Sequence, residues 1–191
     1  MRRKTHEYVE YRGIDDEGPS DFQFPRMIAS AVIVQAMRDI GSLWVGRDMT
    51  MEGHTRTARS ALSFAFGDGG SLPVYADMLE MDADRMRDGL IRNYADMMHA
   101  GSGLDRDRAQ KALERIGRYA QGLLPHSTGA NGWRYLPVAG DDIPPLPSLA
   151  SRLDRIVSAQ RERVGAALLK GARLKVCRSG PNAGTARWTA A

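Results

Sequence analysis

Four side chains between Arg85 and Asn93 carry the clearest chemistry in this chain. Arg85, Arg87 and Arg92 can each bridge two acceptors on guanine, and Asn93 can do the same on adenine. They fall within LPVYADMLEMDADRMRDGLIRN, Leu72 to Asn93, which reads as a short helix, a tight turn and a second helix. Units of that kind most often dock the second helix in the major groove of DNA, with base contacts made from its first residues. Arg85 and Arg87 lie nearest that start, and Arg56 and Arg59 on the preceding helix suit phosphates. After Glu162 come Arg163, Lys170, Arg173, Lys175, Arg178 and Arg187 with no acidic residue. Of these, Arg173, Lys175 and Arg178 are expected to lie along a phosphate backbone and to make binding fall with salt. Asp84 and Asp88 weigh the other way, because a carboxylate facing phosphate is repelled. The plainer alternative is that all these charges form a solvated helix face and a solvated tail.

No other constellation competes. His6, His54, His99 and His126 are scattered, and no pair has the helical spacing of a zinc site with a carboxylate between. Asp141-Asp142 sits among prolines and reads as a turn. The glycines from Gly67 to Gly70 and at 101 and 103 lack the lysine and the preceding strand of a phosphate loop. No serine has a nucleophile setting. The single cysteine, Cys177, excludes an internal disulfide framework. The expectation is therefore a protein that is not an enzyme and that uses no metal and no cofactor.

The elements that must position these residues follow from periodicity and punctuation. Residues 1–20 are polar, charged and turn-rich, as in a loose arm. Pro25 opens an apolar first helix running to about Ile40 and stopping near Gly41. Residues 41–54 read as a loop. A second helix from about Thr55 carries Ala58, Ala61, Leu62 and Ala65 at i, i+3, i+4, i+7, and Gly67 to Gly70 end it. Ser71 suits an N-cap for the short third helix, with Pro73 in its first turn and an end near Leu79. Asp82 can cap the fourth, whose inward face would be Met86, Leu90, Tyr94 and Met97. A fifth, from about Asp105 to Leu124, turns Ala109, Ala112, Leu113, Ile116, Ala120 and Leu123 inward. Residues 125–147, rich in Gly and Pro, form the best linker candidate. A sixth helix starts at Ser148 and ends at Gly171, and a short β-hairpin fits the tail around RLKVCRSGPNAGTARW.

Within the paired helices, the small Ala76 would let the second helix approach closely. Tyr75 and Leu79 would pack inward, Met81 would plug the turn, and Met86 and Leu90 would return to the same core. Two positions depart from the usual pattern. Glu80 occupies the turn position that glycine usually holds, at a cost of about 1 kcal/mol or more for a left-handed backbone. Gly89 stands where an apolar residue is commoner, and glycine inside a helix costs about 1 kcal/mol relative to alanine.

The segment from about Phe24 to Tyr94 resembles a module of small bacteriophage, prophage and mobile-element proteins. The marks are the run Gln35 to Asp39 in the apolar first helix, Arg59-Ser60-Ala61 before Phe64 and Phe66, and Met86-Arg87 after the turn. Phe64 or Phe66 takes the place of the tryptophan usual in that aromatic stretch. The resemblance implies DNA binding or phage-linked regulation, and it ends before residue 100.

The totals agree with an ordinary globular chain: 191 residues, 42% hydrophobic and 26% charged. A net charge of +4 suits a nucleic-acid partner without demanding one. The longest apolar run, Met27 to Met37, is too short to span a bilayer, so a soluble cytoplasmic protein without a membrane partner is expected. The reading is an all-α, helix-turn-helix-containing bundle. Its helical domain spans 21–124, with the paired helices at 72–94, and residues 148–191 form a C-terminal helix and basic tail. Its function would be binding double-stranded DNA, as a phage- or mobile-element-linked transcription regulator, with the first or last helix supporting a homodimer. The alternative is a small helical factor that binds a host or phage protein and makes no DNA contact; the methionine-rich face fits that role.

Overall fold

The computed structural model describes residues 23–41, 51–67, 70–128, 133–137, 147–177 and 185–190. Among these the chain is predominantly helical, with six helices and two small two-stranded sheets. The helices are α1 (Gln23–Gly41), α2 (Met51–Phe66), α3 (Leu72–Met78), α4 (Ala83–Ala100), α5 (Gly103–Ala120) and α6 (Pro147–Leu169). The strands are β1 (Leu123–Ser127), β2 (Trp133–Pro137), β3 (Arg173–Val176) and β4 (Ala186–Thr189), paired β1 with β2 and β3 with β4, both antiparallel. The expected arm at 1–20 lies outside the described residues, as do positions 42–50 and 138–146.

The apolar stripes become one continuous core. Ala58, Ala61, Leu62 and Ala65 of α2 are buried, as are Ala109, Ala112, Leu113, Ile116 and Ala120 of α5. Burying such a stripe is what holds a helix that is only marginal alone. α4 has its largest interfaces with α5 and α6 and also touches α3, β3 and β4, while α1 lies on α2, α3 and α5. The end of α1 is buried, so its last carbonyls need partners. Arg115 of α5 donates to Ile40 O at 2.9 Å, and the Tyr94 hydroxyl donates to Met37 O. Burial pushes the Tyr94 phenol well above its ordinary value. Gly41 is required beside it: a Cβ there would stand 2.7 Å from the Tyr94 hydroxyl.

Three boundaries differ from the sequence reading. α2 begins at Met51 instead of Thr55, so 51–54 are helix, not loop. One glycine in a first turn, Gly53, is a tolerable cost, and its carbonyl accepts from the Thr57 hydroxyl. α5 ends at Ala120 instead of Leu124 because Gly122 turns the chain with φ 75°. The expected linker from 125 contains paired strands: β1 and β2 form a hairpin, and β1 packs on α2 and α5 with Leu124 and Pro125 buried. Arg118 of α5 lies over the Tyr135 ring at 5.6 Å and holds the second strand of that hairpin. The hairpin expected in the tail forms as β3–β4, and no helix among the described residues is long and apolar enough to cross a membrane.

Candidate nucleic-acid interface

α3 and α4 meet across a tight turn whose backbone is the one the glycine-type position requires. Glu80 is the only non-glycine among the described residues with positive φ, at 56°. The bond from Met81 N to Ala76 O at 2.9 Å closes the turn. Asp82 then caps α4, its Oδ1 accepting from Arg85 N at 2.7 Å. Ala76 and Leu90 are both buried. Met81 is not the plug: its side chain is 51% exposed, and Leu72 with Ala76 supply what α3 buries.

The polar residues of α4 divide sharply. Arg85 is exposed, and its side chain has no partner among the described residues. Arg87 turns inward with its side chain only 19% exposed. Its Nε donates to Ala65 O at 2.7 Å, and Nη1 donates to Asp84 at 2.9 Å. It thereby caps the last turn of α2, where orphan carbonyls and the helix dipole both favour a cation. Arg92 is partly exposed and pairs loosely with Asp88 at 3.5 Å. Asn93 is engaged on both sides of its amide: Oδ1 accepts from Ala186 N at 2.8 Å, and Nδ2 faces Met97 Sδ at 3.7 Å. Base contact by Arg87 and Asn93, expected from the sequence, would require breaking these internal bonds.

α6 occupies one flank of the same helix. Arg152 reaches Asp84 at 3.0 Å and Asp88 at 3.5 Å. Hydrogen bonds from Arg152, and then from Arg87, hold the Asp84 carboxyl down at about 2. Nothing local in the sequence marked Arg152, because its nearer partner in space, Asp84, lies 68 residues away. On α4 the open residues beyond the first turn reduce to Gly89 and Arg92, in line with Arg85 one turn earlier. The charges there nearly cancel: Asp82, Asp84 and Asp88 stand against Arg85, Arg87, Arg92 and Arg152.

The β3–β4 hairpin is different. It pairs Arg173 with Thr189, Leu174 with Trp188, Lys175 with Arg187 and Val176 with Ala186. Alternation sends Leu174, Val176, Ala186 and Trp188 to one face and Arg173, Lys175, Arg187 and Thr189 to the other. The first set is partly buried, with Leu174, Val176 and Ala186 against the core, and the second is exposed. Trp188 packs on the body instead of standing free to stack on a base, its Nε1 donating to Asp96 Oδ2 at 3.1 Å. The outer face thus holds three cations and no carboxylate. Lys175 and Arg187 stand directly opposite each other, an arrangement that costs stability.

Arg56 is exposed and Arg59 half-buried on α2, whose main neighbours are α1, α3 and β1, so they are not brought beside the hairpin by direct packing. Arg178 lies outside the described residues. No group of three or more metal-ligating side chains gathers among the described residues. Compared with known protein families, curated proteins and solved structures, the chain gives no match.

Proposed function

We propose that the protein binds double-stranded DNA through the phosphate backbone and that the outer face of the β3–β4 hairpin is its main contact. One observation carries the reading: three cations share that face without a carboxylate, two of them directly opposed. Like charges held together at a cost to the fold are what an anionic partner would repay. A two-stranded ribbon has the width to lie along a DNA groove. The finer version, with α4 in the major groove, draws support from the tight turn and from Arg85 and Arg92. It is weakened by the internal bonds of Arg87 and Asn93 and by α6 alongside. The resemblance to phage and mobile-element modules supports a regulatory setting for such binding.

Fluorescence anisotropy with a labelled random-sequence duplex tests this. If three phosphates are neutralised, log K falls by about 2.7 per decade of salt, roughly 40-fold between about 50 and 200 mM. The variant R173A/K175A/R187A should lose most of that slope while its unfolding midpoint stays level or rises. A variant that keeps the wild-type slope removes the hairpin from the role, and a wild-type chain without measurable affinity removes the DNA reading.

A second reading, contact with another protein or a second copy of the chain, is favoured by a separate observation. Met27 and Ile28 on α1, and Val74, Met78 and Met81 on α3 and its turn, are exposed. The two helices pack together there, with Arg26 paired to Glu80. Exposed apolar groups gathered in this way mark interaction surfaces. Sedimentation velocity should show concentration-dependent association that M27E/M78E abolishes. Wild-type chain that stays monomeric at high concentration would remove self-association.

A further inference from the structure

The geometry points to a phosphate-binding notch on α4 made of Arg85, Gly89 and Arg92, seating one backbone phosphate of the duplex close to the helix axis. The inference rests on the DNA reading and deepens it. Gly89 lies in the interior of an 18-residue helix and is exposed. A Cβ built there meets nothing within 4 Å, so no neighbour in the fold requires a glycine. Its φ is not in the left-handed region, so no turn requires one either. Glycine is nonetheless the poorest helix former after proline. Its use in such a place is to let something outside the chain come close to the backbone.

The flanking residues say what that visitor would be. Arg85 is one turn before Gly89 and Arg92 about one turn after, on the same face, so two guanidinium groups bracket the gap over about 10 Å. Arg85 has no side-chain partner among the described residues, and the Arg92 pairing with Asp88 is long at 3.5 Å. Of the nearby carboxylates, Asp84 is held on the α6 side by Arg152 at 3.0 Å, while Asp88 stands between Arg152 and Arg92 at 3.5 Å from each. Two forked donors around a bare stretch of helix match a tetrahedral oxyanion, which each guanidinium can grip with two parallel bonds. The stripe also runs toward the hairpin: Asp96, one turn beyond Arg92, accepts the Trp188 bond. The hairpin is therefore seated one turn beyond the notch, with its cationic face turned away from α4.

Substituting the glycine separates this from a role in folding. Gly89→Ala and Gly89→Leu should each raise the unfolding temperature, by about 2–4 °C for a chain of this size. Against the same random-sequence duplex, Gly89→Leu should bind about tenfold more weakly than wild type. Its salt slope should be unchanged, because no cation is lost and only the approach is blocked. The double variant R85A/R92A should reduce the slope by about one, because the two guanidinium groups share a single phosphate. Wild-type affinity in Gly89→Leu overturns the notch while leaving the ribbon reading intact. A fall in unfolding temperature in both glycine variants also overturns it, since the glycine would then serve the fold. Wild-type chain that fails to bind the duplex defeats the DNA reading itself, a result distinct from either.

Discussion

Replacing Arg115 with alanine is expected to lower the unfolding free energy by about 3 kcal/mol, through loss of a charged hydrogen bond and of buried stem packing. Arg115 is only 3% exposed, and its Nη1 donates to Ile40 O at 2.9 Å. That carbonyl belongs to the last turn of α1, whose terminal carbonyls lie beyond the reach of the helix's own described N–H groups. Burial draws the Arg115 pKa below its ordinary value, while Tyr135 and Tyr94 work in the opposite direction. The side chain therefore ties three parts of the chain together: the end of α1, the body of α5 and the β1–β2 hairpin through Tyr135. Lysine should recover little, because a single ammonium cannot reproduce the planar fork. Urea unfolding measures the effect directly, with a shifted midpoint and an unchanged slope. A loss below about 1 kcal/mol would mean that water or another donor replaces the guanidinium at Ile40.

The second large effect is expected at Ile91, two residues from the open Gly89 but on the opposite side of α4. Ile91 is 0% exposed and belongs to the central core. Deleting most of such a side chain costs both its transfer free energy and the cavity left behind, about 3–4 kcal/mol for Ile91→Ala. Because successive residues turn by about 100° on a helix, one helix should show opposite responses two residues apart. Alanine at 91 destabilises, while alanine at 89 stabilises slightly. Chemical denaturation of the two variants checks the pair. Equal responses would contradict the placement of α4 between α5 and α6.

That placement is what alters the reading of the arginines. A helix flanked by α5, α6 and the C-terminal hairpin has little of its length open. It offers a narrow stripe and serves as the bed on which the cationic ribbon is held. An isolated two-stranded hairpin is marginal in water. The bonds from Ala186 N to Asn93 and from Trp188 to Asp96 give this one its seat. Asn93, expected at a base edge, bonds the hairpin backbone in the structure.

Much of this was legible without coordinates, for reasons that can be named. The stripes of α2 and α5 depend on residues three and four apart, so periodicity exposed them. The stops at Gly41 and Gly67, the turn at Glu80 and the cap at Asp82 depend on one or two residues each, as did the hairpin of the tail. The charge imbalance after Glu162 could be counted directly. Where several weak local cues competed, the outcome was harder to read: Leu123 and Leu124 fit a helical stripe as well as a strand, and Gly122 decided between them.

The destinations of the charged side chains came from tertiary structure alone. Arg85 and Arg87 look alike in sequence, each a cation in the first turns of an amphipathic helix. One is open, and the other bonds to a carbonyl 22 residues earlier. Arg115 meets its carbonyl 75 residues away, and Asn93 meets Ala186 across 93. Local pattern sets which face of a helix is polar, because that follows from the turn per residue. Whether a polar group on that face meets water, a ligand or another part of the chain depends on how distant segments pack, and that is settled only when the whole core closes.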